Sequence, residues 1–173
     1  AVFVEMFGDP VRNEKGWEMK YLNKICNFSQ GVQVPLEDHY LDYKEGLNRF
    51  LRISDYTTTT ETRYVQENNL KYWVMKDDIV MVRYGASAGF VGVGKEGILA
   101  NNLFKLNHDR KIVDTHYLFT LLQSGYFKKF IEKIAFGAAM PALSFSVLNN
   151  FAVAVPPLPL QTRFASILAN IEQ

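Results

Sequence analysis

Residues 77–106 constrain the fold more than any other part of the sequence, because they alternate apolar runs with glycines. Residues 79–82 (IVMV) form a short apolar run rich in β-branched side chains, which predicts a strand. Glycines and small residues follow, at Gly85, Gly89, Gly92, Gly94 and Gly97. Residues 98–106 return to a strand-like pattern. Since glycine permits positive φ and close backbone approach, the stretch predicts two strands joined by a glycine-rich bend at a sheet edge.

Three nucleotide-binding motifs can be read into this stretch, and each lacks a required feature. Residues 89–96 spell GFVGVGKE, where Glu96 replaces the Ser or Thr that holds magnesium in a P-loop. Residues 92–97 spell GVGKEG, which matches G-x-G-x-x-G, but no amphipathic helix follows. Residues 90–94 spell FVGVG, which resembles a methyltransferase loop for adenosylmethionine, without its N-P-P-Y or D-P-P-Y partner. A nucleotide-binding enzyme that uses residues 85–97 therefore stays a less favoured alternative to the structural bend.

The composition predicts one globular domain without catalytic or metal chemistry. The chain has 173 residues, 48% of them hydrophobic, and Cys26 is its one cysteine, which excludes an internal disulfide and fits a reducing compartment. No apolar run reaches membrane-spanning length and nothing resembles a signal peptide, so we expect a cytoplasmic protein. His39, His108 and His116 lack metal-ligand spacing. We expect no metal, no cofactor and no catalytic residue.

The charge balance argues against binding nucleic acid through bulk positive charge. The chain carries 19 Lys and Arg against 18 Asp and Glu, for a net charge of +1. Proteins that bind DNA through charge alone are strongly basic. The balance does not exclude a small basic face.

The rest of the chain predicts short strands, polar loops and helices. Residues 1–7 have the pattern of a helix end stopped by Gly8 and Pro10, and Asp114 is a predicted N-cap. Because the chain begins at Ala1, we expect it to be a piece of a longer protein. The last helix has an apolar stripe that needs a helical partner. Further strands are predicted at residues 25–28, 49–53 and 148–155, and helices at residues 117–122, 126–135 and 160–173.

Several motifs together resemble one known family. Residues 142–161 (ALSFSVLNNFAVAVPPLPLQ) place a strand before a P-P-L element and a glutamine at the start of a helix. Residues 78–85 and Gly89 match a D-I-L…G…G pattern. Residues 6–10 (MFGDP) with the Gly-Trp pair at 16–17 resemble a lead-in from a spacer helix. In this order, over nearly the whole chain, they resemble the target recognition domain of the specificity subunit of type I restriction-modification systems.

The resemblance implies an α+β fold with a mixed, mostly antiparallel sheet, flanking helices and the start of a spacer helix. Residues 1–16 would be the lead-in, residues 17–155 the target recognition domain, and residues 156–173 the proline-rich turn with the spacer helix. At residues 162–164 the chain has TRF, where the family more often has a charged pair and an isoleucine.

The resemblance also implies a non-catalytic subunit that recognises a DNA sequence. Its partners would be double-stranded DNA, the modification subunits that methylate adenine, and the motor-nuclease subunits that restrict unmodified DNA. Related domains are fused to type II enzymes that both cut and methylate, and this alternative stays open.

The predicted DNA contacts are polar and aromatic residues on loops at one sheet edge, because arginine pairs with guanine and glutamine with adenine. A flexible surface loop is the alternative interpretation of the threonine run. The main set is Gln30, Gln33, Arg49, Arg52, Thr57, Thr58, Thr59, Thr60, Arg63, Arg83, Tyr84 and Ser87. A second set is Lys105, Lys111 and residues 138–141.

Overall fold

The structure is a computed structural model that describes residues 2–58, 61–135 and 142–173. The described residues divide into two compact units. The first unit consists of residues 2–27, 108–135 and 143–173. The second consists of residues 28–58 and 61–107 with Ala142.

Short strands and helices alternate along the described parts of the chain. The strands are β1 (Glu18–Tyr21), β2 (Cys26–Gln30), β3 (Asn48–Leu51), β4 (Arg63–Val65), β5 (Trp73–Val74), β6 (Ile79–Val82), β7 (Val91–Gly92), β8 (Gly97–Leu99), β9 (Leu103–His108) and β10 (Ala152–Val155). The helices are α1 (Val2–Phe7), α2 (Ile53–Thr57), α3 (Thr115–Leu122), α4 (Gly125–Ala135), α5 (Phe145–Leu148) and α6 (Leu158–Ile171). Among the helices described here, none is long and apolar enough to cross a membrane.

The predicted α+β class is confirmed, but the described strands form three sheets where the sequence predicted one. β1 pairs antiparallel with β10. A four-stranded sheet has the order β2-β9-β6-β7, in which β6 runs antiparallel to both neighbours. A second four-stranded sheet has the order β4-β3-β8-β5, in which β3 and β8 run parallel. β7 ends its sheet, so the glycine-rich bend lies at a sheet edge as predicted.

The core of the second unit explains why the run at β6 is apolar at every position. All four residues of β6 are buried, because side chains from both four-stranded sheets cover it. Burial of one such aliphatic side chain contributes about 1.5–3 kcal/mol. The buried cluster consists of Leu51, Val74, Val80, Val82, Leu99 and Leu103.

The core of the first unit is aromatic. Phe164 of α6 packs edge-on against Phe3 and Phe7 of α1, with ring centroids 5.7 and 5.4 Å away. Tyr117 of α3 lies against the same pair, and its hydroxyl donates a hydrogen bond to the Ala154 carbonyl at 2.5 Å. Burial raises the pKa of Tyr117. The apolar stripe of the last helix is therefore covered in part by α1 and α3 of the same chain.

The helix signals read from the sequence are confirmed. The carboxylate of Asp114 accepts hydrogen bonds from the backbone N–H groups of His116 and Tyr117, at 2.8 and 3.2 Å, as an N-cap. α1 ends at Phe7, and Gly8 follows with a φ of +80°. Cys26 is buried, and burial raises the pKa of its thiol to about 12, so the thiol is a protonated core residue.

Three predicted strand boundaries are wrong. Residues 98–106 form β8 and β9, which belong to different sheets and are separated by a turn at Asn101 and Asn102. Residues 148–155 begin inside α5, and the strand starts at Ala152. The strand predicted at residues 49–53 ends at Leu51, because α2 begins at Ile53.

Candidate nucleic-acid interface

The described residues of the predicted contact set lie in the second unit, with the exception of Lys111 in the first. Thr59, Thr60 and residues 138–141 lie outside the described residues. The others group around a buried carboxylate, a cleft and a hairpin. The carboxylate, the cleft and the hairpin all belong to the second unit.

Asp55 is the centre of the first group. Its buried carboxylate accepts hydrogen bonds from the backbone N–H of Arg52 at 2.8 Å and from Arg52 Nε at 3.1 Å. Arg49 Nη2 lies 3.5 Å from its other oxygen. Arg52 Nη2 also donates to the Glu61 carbonyl at 2.6 Å. The carboxylate and this carbonyl hold both arginines in place, with 34% of the Arg49 side chain and 24% of the Arg52 side chain exposed.

A cleft of about 310 Å³ opens beside Asp55. Tyr56 lies on its wall, and burial, followed by the charge of Asp55, raises the pKa of the Tyr56 hydroxyl. Within the described residues, neither Arg49 Nε nor the Tyr56 hydroxyl has a hydrogen-bond partner. The lining residues are Arg49, Asp55, Tyr56, Thr57, Thr58, Thr62 and Lys95.

A second cleft, of about 400 Å³, connects Arg52 to the turn between β8 and β9. Gln33, which is exposed, lines one part of it, and Asn101 and Asn102 line another. Arg52 borders this cleft and shares Asp55 with Arg49 of the first one. The predicted contacts Arg49, Arg52 and Gln33 therefore lie along one surface of the second unit.

The same turn anchors the second group of predicted contacts. The Gln30 amide donates to the Asn101 carbonyl, and the backbone N–H of Arg83 donates to the Asn102 carbonyl at 2.9 Å. Gln30 Oε1 accepts a hydrogen bond from Arg83 Nη1 at 2.7 Å. The Arg83 guanidinium carbon lies 5.4 Å from the centroid of the Tyr84 ring, which is a cation–π distance. Gln30 and Tyr84 thus fix the orientation of Arg83 from two sides.

Residues 83–90 form a short hairpin connection that leads to β7. The backbone N–H of Gly89 donates to the Val82 carbonyl at 2.9 Å, which closes the connection. Its exposed side chains include Tyr84, Ser87 and Phe90, with 43% of Tyr84 and 41% of Phe90 exposed. Exposed aromatic rings beside a cation suit stacking on nucleic-acid bases.

Of three other predicted contacts, two are engaged by protein partners and one belongs to the first unit. Lys105 Nζ donates to the Trp73 carbonyl at 2.9 Å and lies 3.9 Å from Asp78, with 17% of its side chain exposed. Arg63 pairs with Glu61. Lys111 lines a groove of about 470 Å³ in the first unit. They stay predictions, and the side chains of Arg63 and Lys105 are less exposed than those of Arg49 and Arg52.

The glycine-rich stretch packs against protein where a nucleotide motif would hold phosphate. A Cβ at Gly92 would lie 2.4 Å from Tyr56 Cδ1, and a Cβ at Gly97 would lie 2.4 Å from the Arg49 carbonyl oxygen. GVGKEG is followed by strand β8, whereas the dinucleotide motif requires a helix there. This geometry disfavours the nucleotide-binding alternative. Among the described residues, no group of three His, Cys, Asp or Glu side chains could hold a metal ion.

Lys95 is a cation of this surface that the predicted contact set does not include. It lies in the GVGKEG run, which in the sequence resembles only part of a nucleotide motif. The structure brings it to the cleft beside Arg49. A lone cation inside a glycine run was the available signal, because such a run lets a backbone approach another segment closely.

A family model for the type I restriction modification DNA specificity domain matches residues 14–173. The specificity subunit of the type I restriction enzyme MjaVIII from Methanocaldococcus jannaschii is 27% identical over 171 residues. The match covers 98% of this chain but 39% of that subunit. The chain therefore spans about two fifths of the length of the curated relative.

Two solved structures have the same fold at low sequence identity. The HsdS subunit from Thermoanaerobacter tengcongensis matches with a TM-score of 0.71 and 19% identity, over 99% of this chain and 41% of that one. The S subunit of a type I restriction-modification system from M. genitalium matches with a TM-score of 0.67 and 17% identity. That match covers 91% of this chain and 39% of the other.

Proposed function

The chain belongs to the type I restriction modification DNA specificity domain family, and on that premise we propose that its second unit recognises a specific sequence of duplex DNA. One observation carries the proposal. A single surface runs from Arg49 and Arg52, past Asn101 and Asn102, to Arg83. Internal hydrogen bonds hold its arginines, so the entropy of ordering them is spent in folding rather than in binding.

The chemistry of this surface fits the readout of base edges in the major groove. An arginine forms a bidentate pair with guanine and a glutamine with adenine, each worth about 1–3 kcal/mol of discrimination. Arg83 is our main candidate for guanine, because Gln30 and Tyr84 fix its orientation. Gln33 is our candidate for adenine, because it is exposed at the second cleft.

The other predicted contacts follow in order of exposure. Thr57 and Thr58 are exposed beside the first cleft, and we propose that they contact the DNA backbone. Tyr84 and Ser87 would approach DNA from the hairpin connection. We rank Arg63 and Lys105 lower, because only 22% and 17% of their side chains are exposed, less than for Arg49 and Arg52.

The parent protein would target DNA without catalysing a reaction. We infer that modification subunits which methylate adenine, and motor-nuclease subunits which restrict DNA, supply the chemistry in the cytoplasm. Residues 17–155 would be the target recognition domain, residues 1–16 its lead-in, and residues 156–173 the start of a spacer. A type II fusion is not favoured, because the relatives found are specificity subunits of type I systems.

Selection from random DNA tests the proposal. The purified chain is mixed with a pool of random-sequence duplexes, and the bound molecules are amplified and sequenced over several rounds. We expect one short motif to be enriched. Enrichment of no motif, with binding that is equal for all sequences, would contradict sequence-specific recognition by this chain.

A further inference from the structure

Three glycines hold the turn of residues 92–97 against other segments of the second unit. Gly92 packs on the Tyr56 ring and Gly97 on the Arg49 carbonyl, at positions where a Cβ would come within 2.4 Å of either. Between them, the backbone N–H of Gly94 donates to the Lys76 carbonyl at 2.9 Å. Side chains of ordinary size at Gly92 or Gly97 would force the turn away. The glycines therefore fix the backbone on both sides of Lys95.

This turn brings Lys95 to the wall of the 310 Å³ cleft that also contains Arg49. Lys95 is half-buried, and within the described residues it makes no hydrogen bond or ion pair. Arg49 is held differently, by the carboxylate of Asp55. Two cations thus reach one cleft from separate segments of the chain, and Thr57, Thr58 and Thr62 also line it.

The charge in this cleft is positive after its internal pairing is counted. Among the described lining residues the acid is Asp55, and its carboxylate already pairs with Arg49 and Arg52. The ammonium group of Lys95 adds a charge that no carboxylate offsets. Arg49 Nε and the Tyr56 hydroxyl are buried donors without an acceptor among the described residues. Such donors are rare in folded proteins, and both belong to residues that line this cleft.

We propose that this cleft binds a phosphodiester of the DNA backbone through the cations of Lys95 and Arg49. The turn of residues 92–97 positions Lys95 for this contact. The described lining of the cleft offers two cations and no side-chain amide, which suits phosphate, the group that positions a duplex, better than a base. The inference rests on the proposed DNA recognition and assigns a role to the glycine-rich stretch. It predicts that the contact of Lys95 is independent of DNA sequence.

Salt-dependent binding of the whole chain to a labelled pool of short random-sequence duplexes tests this. Loss of one phosphate contact reduces the slope of log binding constant against log salt by about 0.9. Over a four-fold rise in KCl, the affinity of the wild type should therefore fall about three to four times more than that of Lys95→Gln. Lys95→Arg keeps the charge and should keep the wild-type slope. Lys44→Gln, which removes an exposed lysine of the same unit, is the matched control and should leave the slope unchanged.

The contrary outcomes are distinct. If the wild type binds DNA and Lys95→Gln has the same slope as the Lys44→Gln control, the phosphate site is wrong while DNA recognition stands. If ATP displaces DNA from the wild type but not from Lys95→Gln, while inorganic triphosphate at equal ionic strength displaces none, the cleft is a nucleotide site and the inference is overturned. If the wild type binds no DNA at any salt concentration, the proposed function fails and the inference fails with it. Melting temperatures of all variants should equal that of the wild type.

Discussion

Gln161 shows how one side chain joins separate segments of the first unit. It is completely buried. Its Oε1 accepts a hydrogen bond from the Asp114 N–H at 2.7 Å, and its Nε2 donates to the carbonyls of Pro156 and Ile112 at 2.8 and 3.1 Å. Gln161→Ala leaves these backbone groups buried and unpaired, at about 1–3 kcal/mol for each group that water does not reach. We expect a free energy of unfolding lower by at least about 2 kcal/mol in urea titrations.

The matched control for Gln161 is the next residue along α6. Thr162 is exposed, and its hydroxyl bonds the Leu158 carbonyl inside the same helix. Thr162→Ala should change the free energy of unfolding by less than about 0.5 kcal/mol. Equal losses in the two variants would mean that the buried amide of Gln161 contributes no more to stability than the exposed hydroxyl of Thr162.

Arg83 tests base readout at the level of one side chain. If its guanidinium meets a guanine, Arg83→Ala should weaken binding to the selected target by about 1–3 kcal/mol and relax one base-pair position. The measurement is binding to a panel of duplexes, each changed at one base pair. Arg12→Ala removes an exposed arginine of the first unit and should leave the whole panel unchanged. A uniform loss across the panel for Arg83→Ala would instead indicate a phosphate contact.

At the scale of elements, the periodic helices and the apolar strand β6 were predictable, whereas the pairing of β8 and β9 was not. The helix pattern at residues 117–122 and the cap at Asp114 are local signals, and both are confirmed. β8 and β9 are separated by three residues, yet they belong to different sheets. Their pairing is set by distant partners, β3 for one and β6 for the other. No local pattern encodes such a choice, because β propensity reflects packing against neighbours.

The packing of α6 on α1 makes a prediction at the same scale. Phe164 is buried against two rings of α1. The substitution Phe164→Ala opens a cavity among these rings and should lower the free energy of unfolding by about 3–5 kcal/mol. Ser166→Ala, at an exposed position of the same helix, is the control and should stay near zero. A loss below about 1 kcal/mol in Phe164→Ala would show that α1 does not cover this face in solution.

The surface of the second unit was only partly predictable. Side-chain chemistry identified Gln30, Arg52 and Arg83 as candidates, since their preferences for base edges follow from residue type. The role of Asp55, whose carboxylate holds Arg49 and Arg52, could not be predicted from the sequence. No local pattern distinguishes this carboxylate from that of an ordinary loop acid. Lys95 reaches Arg49 through close approaches at Gly92 and Gly97, which are tertiary contacts.

For the whole molecule, the near balance of 19 basic and 18 acidic residues limits how DNA can be bound. The chain lacks a broad excess of positive charge, so the salt dependence of binding should count only the contacts of the recognition surface. Arg49, Arg52, Arg83 and Lys95 supply at most four phosphate contacts there, and some of these arginines would meet bases instead. At about 0.9 per phosphate, we expect a slope of log binding constant against log salt between about −2 and −4.

Titrations of the selected target at several KCl concentrations measure this slope, with a random duplex as the comparison. The random duplex should bind far more weakly than the target, because base contacts and not bulk charge supply most of the affinity. A slope much steeper than −4, shared by target and random DNA, would mean that basic residues outside this surface hold the duplex.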